Sequence, residues 1–237
     1  EAGRLEIGSA VTYSNALPWL LADYPETAEL LNRLGAVQVR NTGTIGGNIA
    51  NGSPIGDMPP PLIALGARLV LSGTDGEREI ALEDFFIDYG QQDLRHGECV
   101  SRVHLPLPSD GSMFRVYKLS KRIEQDISAV CAAFYIELED GLISMARVCY
   151  GGMAATPKRA AQCERTMTGQ PWNEETLSAG IAAMNEDYTP ISDMRASAGY
   201  RMQAAQNLLR RFYLETTSPE TPVRLGAIPD RELVTGT

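Results

Sequence analysis

ISAVCAAFYIELEDGLISMARVCYGGM, residues 127–153, holds two apolar runs joined by Asp140-Gly141. Each run is rich in β-branched, aromatic and small apolar residues, and the Asp-Gly pair is a tight-turn signal, so the stretch reads as two antiparallel strands. MFRVYKLS (113–120) adds a third strand-like run upstream. Downstream the spacing becomes helical: TPKRAAQCERTM (156–167) opens on Thr156-Pro157, and NEETLSAGIAAMNEDY (173–188) and SAGYRMQAAQNLLRRFYLE (197–215) follow. Strands first and helices after predict an antiparallel three-stranded sheet packed with helices, an α+β class, rather than alternating βαβ units.

LPLPSDGSM (105–113) interrupts the pattern and is read as a domain boundary, dividing 1–108 from 109–215. On its N-terminal side, RLEIGSAVTYS (4–14) alternates as a strand. A helix is expected from Ala16, capped by Ser14 or Asn15, and a second over 26–36, ending at Gly35. A short helix at 61–65, a hairpin of 67–73 and 77–82 turning at Thr74-Asp75-Gly76, and a strand at 98–108 complete that half. The segment 216–237, rich in Pro and Thr, is expected to be disordered.

The chain has 237 residues, ample for a substantial core, and a formal net charge of −9. That balance argues against nucleic acid and anionic membranes, both of which call for a basic face. No apolar run approaches the roughly 18 residues of a membrane span, and no signal segment opens the chain. The chain begins without Met, almost directly on an apolar alternation, and is read as part of a longer polypeptide. Cys99, Cys131, Cys149 and Cys163 form no C-x-x-C pair, which disfavours zinc and iron–sulfur ligation. Cys131 and Cys149 sit in strand-like runs as small hydrophobes, and a reducing cytoplasm suits them. His96 and His104 stand apart from any acid–nucleophile set and receive no catalytic role.

The chemistry concentrates in NTGTIGGNIANGSPIGDMPPPLIALGA (41–67). Gly46 and Gly47 lack side chains, so a ligand could approach the main chain there. Successive exposed N–H groups would form an anion-binding concavity. Thr42 and Thr44 add hydroxyls, Asn48 an amide, and Asp57 an acceptor suited to sugar or ribityl hydroxyls. The pattern is neither G-x-G-x-x-G nor a P-loop. Local chemistry therefore leaves both a plain turn and a ligand loop open.

TIGGNIANGSPIGDMPPPLIALGA (44–67) resembles the second flavin-binding loop of the xanthine dehydrogenase family, in the FAD-binding part of the small subunit. YKLSKRIEQDISAV (117–130), ARVCYGGMAATPKRA (146–160), PISDMRASAGYR (190–201) and NLLRRFY (207–213) resemble that family's flavoprotein C-terminal domain. The motifs fall in the family's order, from about residue 5 to residue 214. The resemblance implies the second part of a PCMH-type FAD-binding domain followed by the α+β domain.

It further implies that Thr44, Ile45, Gly46, Gly47 and Asn48 wrap the diphosphate and ribityl chain of FAD, and that Asp57 bonds a flavin hydroxyl. Leu34 would pack on the cofactor, where some relatives carry an aromatic residue. Val100, at a position usually Leu, would contact it through the backbone, and Lys118 would offset charge on the reduced flavin. Tyr89 would line the nicotinamide pocket, bordered by 119–129. An acid usual in that loop is Gln125 here. Taken without the resemblance, Lys118 reads as a solvated lysine, Tyr89 as a packing residue and Asp57 as a helix cap.

The family's activity would pass electrons from iron–sulfur clusters through FAD to NAD during purine hydroxylation. The [2Fe–2S] clusters, the molybdopterin and a first glycine-rich FAD loop would lie on upstream segments of the same subunit or on a molybdopterin-binding large subunit. The alternatives are the flavin subunit of another molybdenum hydroxylase, acting on carbon monoxide, an aldehyde or an aromatic, or a non-enzymatic docking module for the molybdenum subunit. The expected location is the cytoplasm.

Overall fold

The computed structural model describes residues 3–218, in two four-stranded antiparallel sheets that share one continuous packing interface, and a separate two-stranded sheet. The N-terminal half runs β1 (Arg4–Gly8), α1 (Tyr13–Asp23), a 3₁₀ turn (Pro25–Thr27), α2 (Ala28–Arg33), α3 (Val37–Thr42), α4 (Ile45–Ala50), α5 (Pro59–Ala64), β2 (Arg68–Gly73) and β3 (Gly76–Ala81). A second 3₁₀ turn (Leu82–Phe85), β4 (Phe86–Asp88), β5 (Gln91–Gln92) and β6 (Cys99–Pro106) complete it. The strands order as β1-β6-β2-β3, so the late strand β6 closes the sheet against both β1 and β2.

Strand alternation divides this sheet into two faces. Ile7, Leu69, Leu71, Val103 and Leu105 face the core. Glu6, Glu77, Glu79, Arg102 and His104 make an ion-pair lattice on the other face, where His104 lies between Glu6 at 3.0 Å and Glu79 at 3.2 Å. His104 is thus structural, in keeping with its lack of a catalytic assignment.

The C-terminal half contains β7 (Met113–Leu119), β8 (Val130–Glu139), β9 (Leu142–Gly151), β10 (Lys158–Arg159), α6 (Ala161–Met167), α7 (Glu174–Asp187) and α8 (Ala198–Thr217). The sheet order is β10-β9-β8-β7. Asp140 and Gly141 have φ of 52° and 79°, the two positive values a two-residue hairpin turn of the primed type needs. Strand β8 explains why its sequence is apolar without alternation. Cys131, Ala133 and Tyr135 pack on the N-terminal half, whereas Val130, Ala132, Phe134 and Ile136 pack under the helices. The N-terminal core therefore continues through Phe114, Val116 and Cys149 into the second sheet.

Several local expectations shift. The first helix starts at Tyr13, because Thr12 rather than Ser14 or Asn15 caps it, accepting from the Asn15 amide at 3.3 Å. Helix α3 was not foreseen. The helix expected over 156–167 opens instead with β10, a fourth strand: Lys158 pairs with Tyr150, and the Ala160 amide donates to Val148 O at 2.8 Å. Its helical part begins at Ala161, where Asp187 accepts from the Gln162 and Cys163 amides. Of the tail expected at 216–237, Thr216 and Thr217 close α8, and residues 219–237 lie outside the described residues. No helix among the described residues is long and apolar enough to cross a membrane.

Candidate functional site

The glycine stretch folds as a helix, α4, with Thr44 at its N-cap accepting from the Gly47 amide at 3.0 Å. The other amides there are engaged too. Ile45 donates to Val11 O at 3.2 Å, Gly46 to Ser9 O at 3.0 Å and Asn48 to Thr44 O at 3.0 Å. The open anion-binding concavity expected from the sequence is therefore absent, because the loop after β1 and the helix itself take up these donors.

The two glycines have different reasons for being glycine. A Cβ on buried Gly46 would lie 2.7 Å from both Ser9 Cα and Ser9 O, so this residue permits α4 to pack on the β1 loop. Gly47 is exposed, and a Cβ there would meet only Thr44 Oγ1, at 2.8 Å. Ile45 is fully buried and anchors the helix.

From α4 the chain runs through Gly52 to Asp57, which joins the two halves of the protein. One carboxylate oxygen of Asp57 pairs with Lys118 Nζ on β7, and the other accepts from Ser128 Oγ at 2.5 Å, just before β8. The Cys131 thiol lies 3.6 Å from the Asp57 carbonyl oxygen. The reading of Lys118 as solvated does not hold: its side chain is 1% exposed. Nor does Asp57 cap α5, whose N-cap is Met58 with no side-chain bond. A buried ammonium is tolerated here because a carboxylate faces it. Burial raises the Cys131 thiol pKa well above normal, with the Asp57 charge adding to it, so this cysteine stays a protonated packing group.

Around this pair two buried polar atoms have no hydrogen-bond partner among the described residues, the Tyr13 hydroxyl and Asn48 Oδ1. Burial, and then the charge of Asp57, push the Tyr13 phenol pKa upward. Buried polar atoms are nearly always paired, so two orphans beside a buried charge pair call for a polar occupant. An acceptor carboxylate, a cation, an amide and a phenol together suit a polyol and an electron-rich ring system. In that respect the residues fit FAD; they do not make a diphosphate cradle, since the α4 amides are taken.

The remaining sequence candidates fall at varied distances from this centre. Leu34 lies just after α2, buried in the N-terminal core. Its neighbour Arg33 donates to Lys118 O at 2.8 Å, Ser120 Oγ at 3.0 Å and Ile123 O at 3.0 Å, fastening the α2 end to the loop that follows Lys118. Val100 is buried on β6, paired with Leu71. Tyr89 is not brought to the cluster: it is 73% exposed at the tip of the β4–β5 hairpin. That hairpin leans on the loop after α4, where a Cβ on Gly52 would meet Gln92 Cδ at 2.9 Å. Tyr13, Ser128 and Arg33 are the participants that sequence reasoning missed. They lie 44, 71 and 85 positions from their counterparts in this cluster (57 − 13, 128 − 57, 118 − 33), and no local signal marks them.

Two family models match the chain. Residues 1–108 match the FAD binding domain in molybdopterin dehydrogenase, and residues 115–216 match the CO dehydrogenase flavoprotein C-terminal domain. The carbon monoxide dehydrogenase medium chain of Afipia carboxidovorans is 30% identical over 214 residues, which cover 89% of this chain and 74% of that one. The chain belongs to the flavoprotein family of the molybdenum hydroxylases. Within that family, the xanthine dehydrogenase FAD-binding subunit of Escherichia coli O157:H7 is 29% identical over 221 residues, covering 92% of this chain and 76% of its own length. The reconstituted CO dehydrogenase from Oligotropha carboxidovorans superposes with a TM-score of 0.82 at 29% identity, over 89% of this chain and 74% of that one. The shared fold includes both antiparallel sheets, and the family is one of oxidoreductases.

Proposed function

We propose that the junction at Asp57 and Lys118 is where this chain holds FAD, as the flavin-carrying part of a xanthine dehydrogenase that delivers electrons to NAD. The observation that carries the FAD reading is the pairing of a buried lysine–aspartate bridge with two unsatisfied buried polar atoms, within a domain whose family binds FAD. When bound, FAD supplies the electron-transfer chemistry. Asp57 accepts from a flavin hydroxyl. Lys118 places a positive charge against the ring system and favours its reduced, anionic form. Thr44 offers its hydroxyl hydrogen at the exposed Gly47 side of α4, and Asn48 faces the polyol. Leu34 and Val100 form the apolar floor, and Ile45 and Gly46 hold α4 in place. None of these side chains need act as acid or base.

The NAD reading draws on the region next to Lys118. The loops 119–129 and 189–197, with the start of α8, flank an open cleft of about 400 Å³ whose largely apolar lining includes Leu119 and Ala129 and also carries Lys121, Arg195 and Tyr200, groups that could meet a nucleotide's phosphates and ring. Lys121 Nζ donates to Met194 O at 2.9 Å and ties the two loops together. Gln125 has a φ of 52°, and the Asp126 carboxylate caps the loop's own amides, so in this chain the loop meets NAD without a free acid at Gln125. Tyr89 would reach NAD from the exposed hairpin. The electron source and the purine centre belong to iron–sulfur and molybdopterin-containing partners.

Titration of the full chain with FAD, read by flavin fluorescence and visible absorbance, tests the first reading: saturable uptake is expected, and a colourless chain that takes up none contradicts it. In the assembled complex, NADH formation from xanthine is the expected activity. Flavin reduction by carbon monoxide, with none by xanthine, would move the assignment to the other branch of the family.

A further inference from the structure

Arg201, in the first turn of α8, is 1% exposed, and its guanidinium ties together three segments that are far apart in sequence. Nη2 donates to both carboxylate oxygens of Asp193, at 2.8 Å each. Nη1 donates to Ala129 O and, at 3.1 Å, to Gly152 O. Nε is buried without a partner among the described residues, so the fork is oriented by these three segments at the expense of its own remaining donor.

Asp193 organises the turn 193–196. Its Oδ1 accepts from the Arg195 amide at 2.9 Å and the Ala196 amide at 3.1 Å, and its own amide donates to Ala196 O at 3.1 Å. Arg195 and Ala196 line the cleft beside β7, as does Ala129. The Ala129 amide donates to Leu119 O at 2.8 Å and closes the base of the loop 119–129, and the preceding residue, Ser128, bonds Asp57 at 2.5 Å. The Gly152 amide donates at 2.8 Å to Pro54 O, in the loop that carries Asp57. Gly152 has a φ of 83°, and a Cβ on it would lie 2.4 Å from Ala129 O and 3.1 Å from Arg201 Nη1. No side chain fits there between the guanidinium and its acceptors. Two routes therefore run from Arg201 to Asp57, one through Ala129 and Ser128, the other through Gly152 and Pro54. A lysine could replace the charge of Arg201 but not the planar fork that serves a carboxylate and two carbonyls at once.

We propose that Arg201 is a positioning residue for the flavin junction: with Asp193, it sets Ser128 and the loop at Pro54 in register at Asp57, and so makes the hold on FAD depend on the cleft turn 193–196. The role rests on the reading that FAD binds at Asp57, and it acts through that residue.

The full chain is prepared as wild type, Arg201→Lys, Asp193→Asn and Leu209→Ala, the last truncating a fully buried side chain farther along α8. Each protein is melted, followed by hydrogen exchange without ligand, and titrated with FAD. Arg201→Lys is expected to weaken FAD binding about tenfold, the value of one hydrogen bond, and to shift the visible band of the bound flavin. Asp193→Asn, which keeps Oδ1 and therefore the turn, should weaken binding about threefold and decides the matter if Arg201→Lys does not fold. Both should speed exchange of the Gly56, Ala129 and Gly152 amides. Leu209→Ala should lower the melting temperature at least as far as Asp193→Asn while FAD affinity, measured well below melting, stays within about twofold of wild type. Arg201→Lys and Asp193→Asn binding FAD as wild type does, or Leu209→Ala losing as much affinity as they do, overturns the proposal and leaves Arg201 a packing strut. A wild-type chain that takes up no FAD overturns the flavin reading, and exchange then decides the positioning role alone: faster exchange at Gly56 and Gly152 in Asp193→Asn upholds it, and unchanged exchange overturns it.

Discussion

Two clusters of charge join the halves of this protein, and they are built differently. At the first, Glu83 and Glu164 meet Arg147 and Arg159. Arg147 bonds Ile63 O and both Glu83 oxygens, Arg159 bonds Glu83 and Glu164, and Glu164 also accepts from the Val148 amide at 2.7 Å. Each charge there has more than one partner, and no orphaned buried atom is recorded in it among the described residues. At the second, Asp57 meets one lysine and one hydroxyl, and two unpaired polar atoms lie alongside. The third orphan, Arg201 Nε, belongs to a guanidinium whose other nitrogens are well bonded. The contrast teaches how to tell a strut from a site. A fully satisfied network holds a fold together, whereas a partly satisfied one keeps room for a ligand.

The largest expected effect follows from that difference. Asp57→Ala leaves the Lys118 ammonium buried without a counter-charge and should cost about 3–5 kcal/mol of stability. The double variant Asp57→Leu with Lys118→Met should regain most of that loss but not FAD binding. Equal melting temperatures for single and double variants would erase the distinction. Glu83→Gln, by contrast, leaves Arg147 and Arg159 with Ile63 O and Glu164, so roughly 1–2 kcal/mol of destabilisation is expected, with FAD affinity unchanged. A change in affinity comparable with that of Asp57→Ala would show the strut to be part of the site.

The glycine pair sharpens the comparison at smaller scale. Gly46→Ala should destabilise the ligand-free chain by about 1–3 kcal/mol, because its Cβ enters Ser9 backbone. Gly47→Ala should stay within about 1 kcal/mol in melting experiments, the glycine-to-alanine propensity gain in a helix offsetting the contact with Thr44. Gly47→Val is expected to lower flavin occupancy. If Gly47→Ala is instead the more destabilising of the two, the assignment of packing to Gly46 and exposure to Gly47 is reversed.

Smallest is a pH effect beside Ser128. Asp193 anchors Arg201, which in turn holds Ala129 O. Burial alone would raise the Asp193 pKa. The Ala196 and Arg195 amides and the Arg201 guanidinium outweigh burial and hold it at about 2. A pKa below the ordinary 3.8 means the ionised form favours the fold. Its stabilisation is therefore present above pH 3.8 and is lost as the pH falls toward 2. Asp193→Asn should cost about 1 kcal/mol at neutral pH and flatten the melting profile across that acid window. A profile parallel to wild type would show that the Asp193–Arg201 pair does not stabilise the fold.

Much of the scaffold was legible because its signals are local. The Asp140-Gly141 turn, the hairpin at residues 74–76 and the helical spacing of 173–188 and 197–215 each announce themselves within a few residues. The β10 strand was not, because Lys158 and Arg159 carry no apolar alternation of their own and pair with β9 while Arg159 bonds Glu164 and, 76 positions away, Glu83. The glycine stretch was legible as a place of close approach but not as a helix, since the amide partners Ser9 and Val11 come from the β1 loop. Asp57 was read as a cofactor acceptor, but its ion pair with Lys118, 61 positions on, was not. Tyr13 carried no signal at all, since an aromatic residue at a helix start looks like core until its hydroxyl is found without a partner.

Hydrogen exchange of the full chain with and without saturating FAD tests most directly whether the unsatisfied cluster is the site. Slowed exchange at residues 12–14, 43–48, 56–58 and 118–131, with no change at 81–84, 147–149 and 158–164, is the expected pattern. Protection that falls on the Glu83–Arg147–Arg159 strut, or none at the Asp57 junction in a chain that binds FAD, would contradict it.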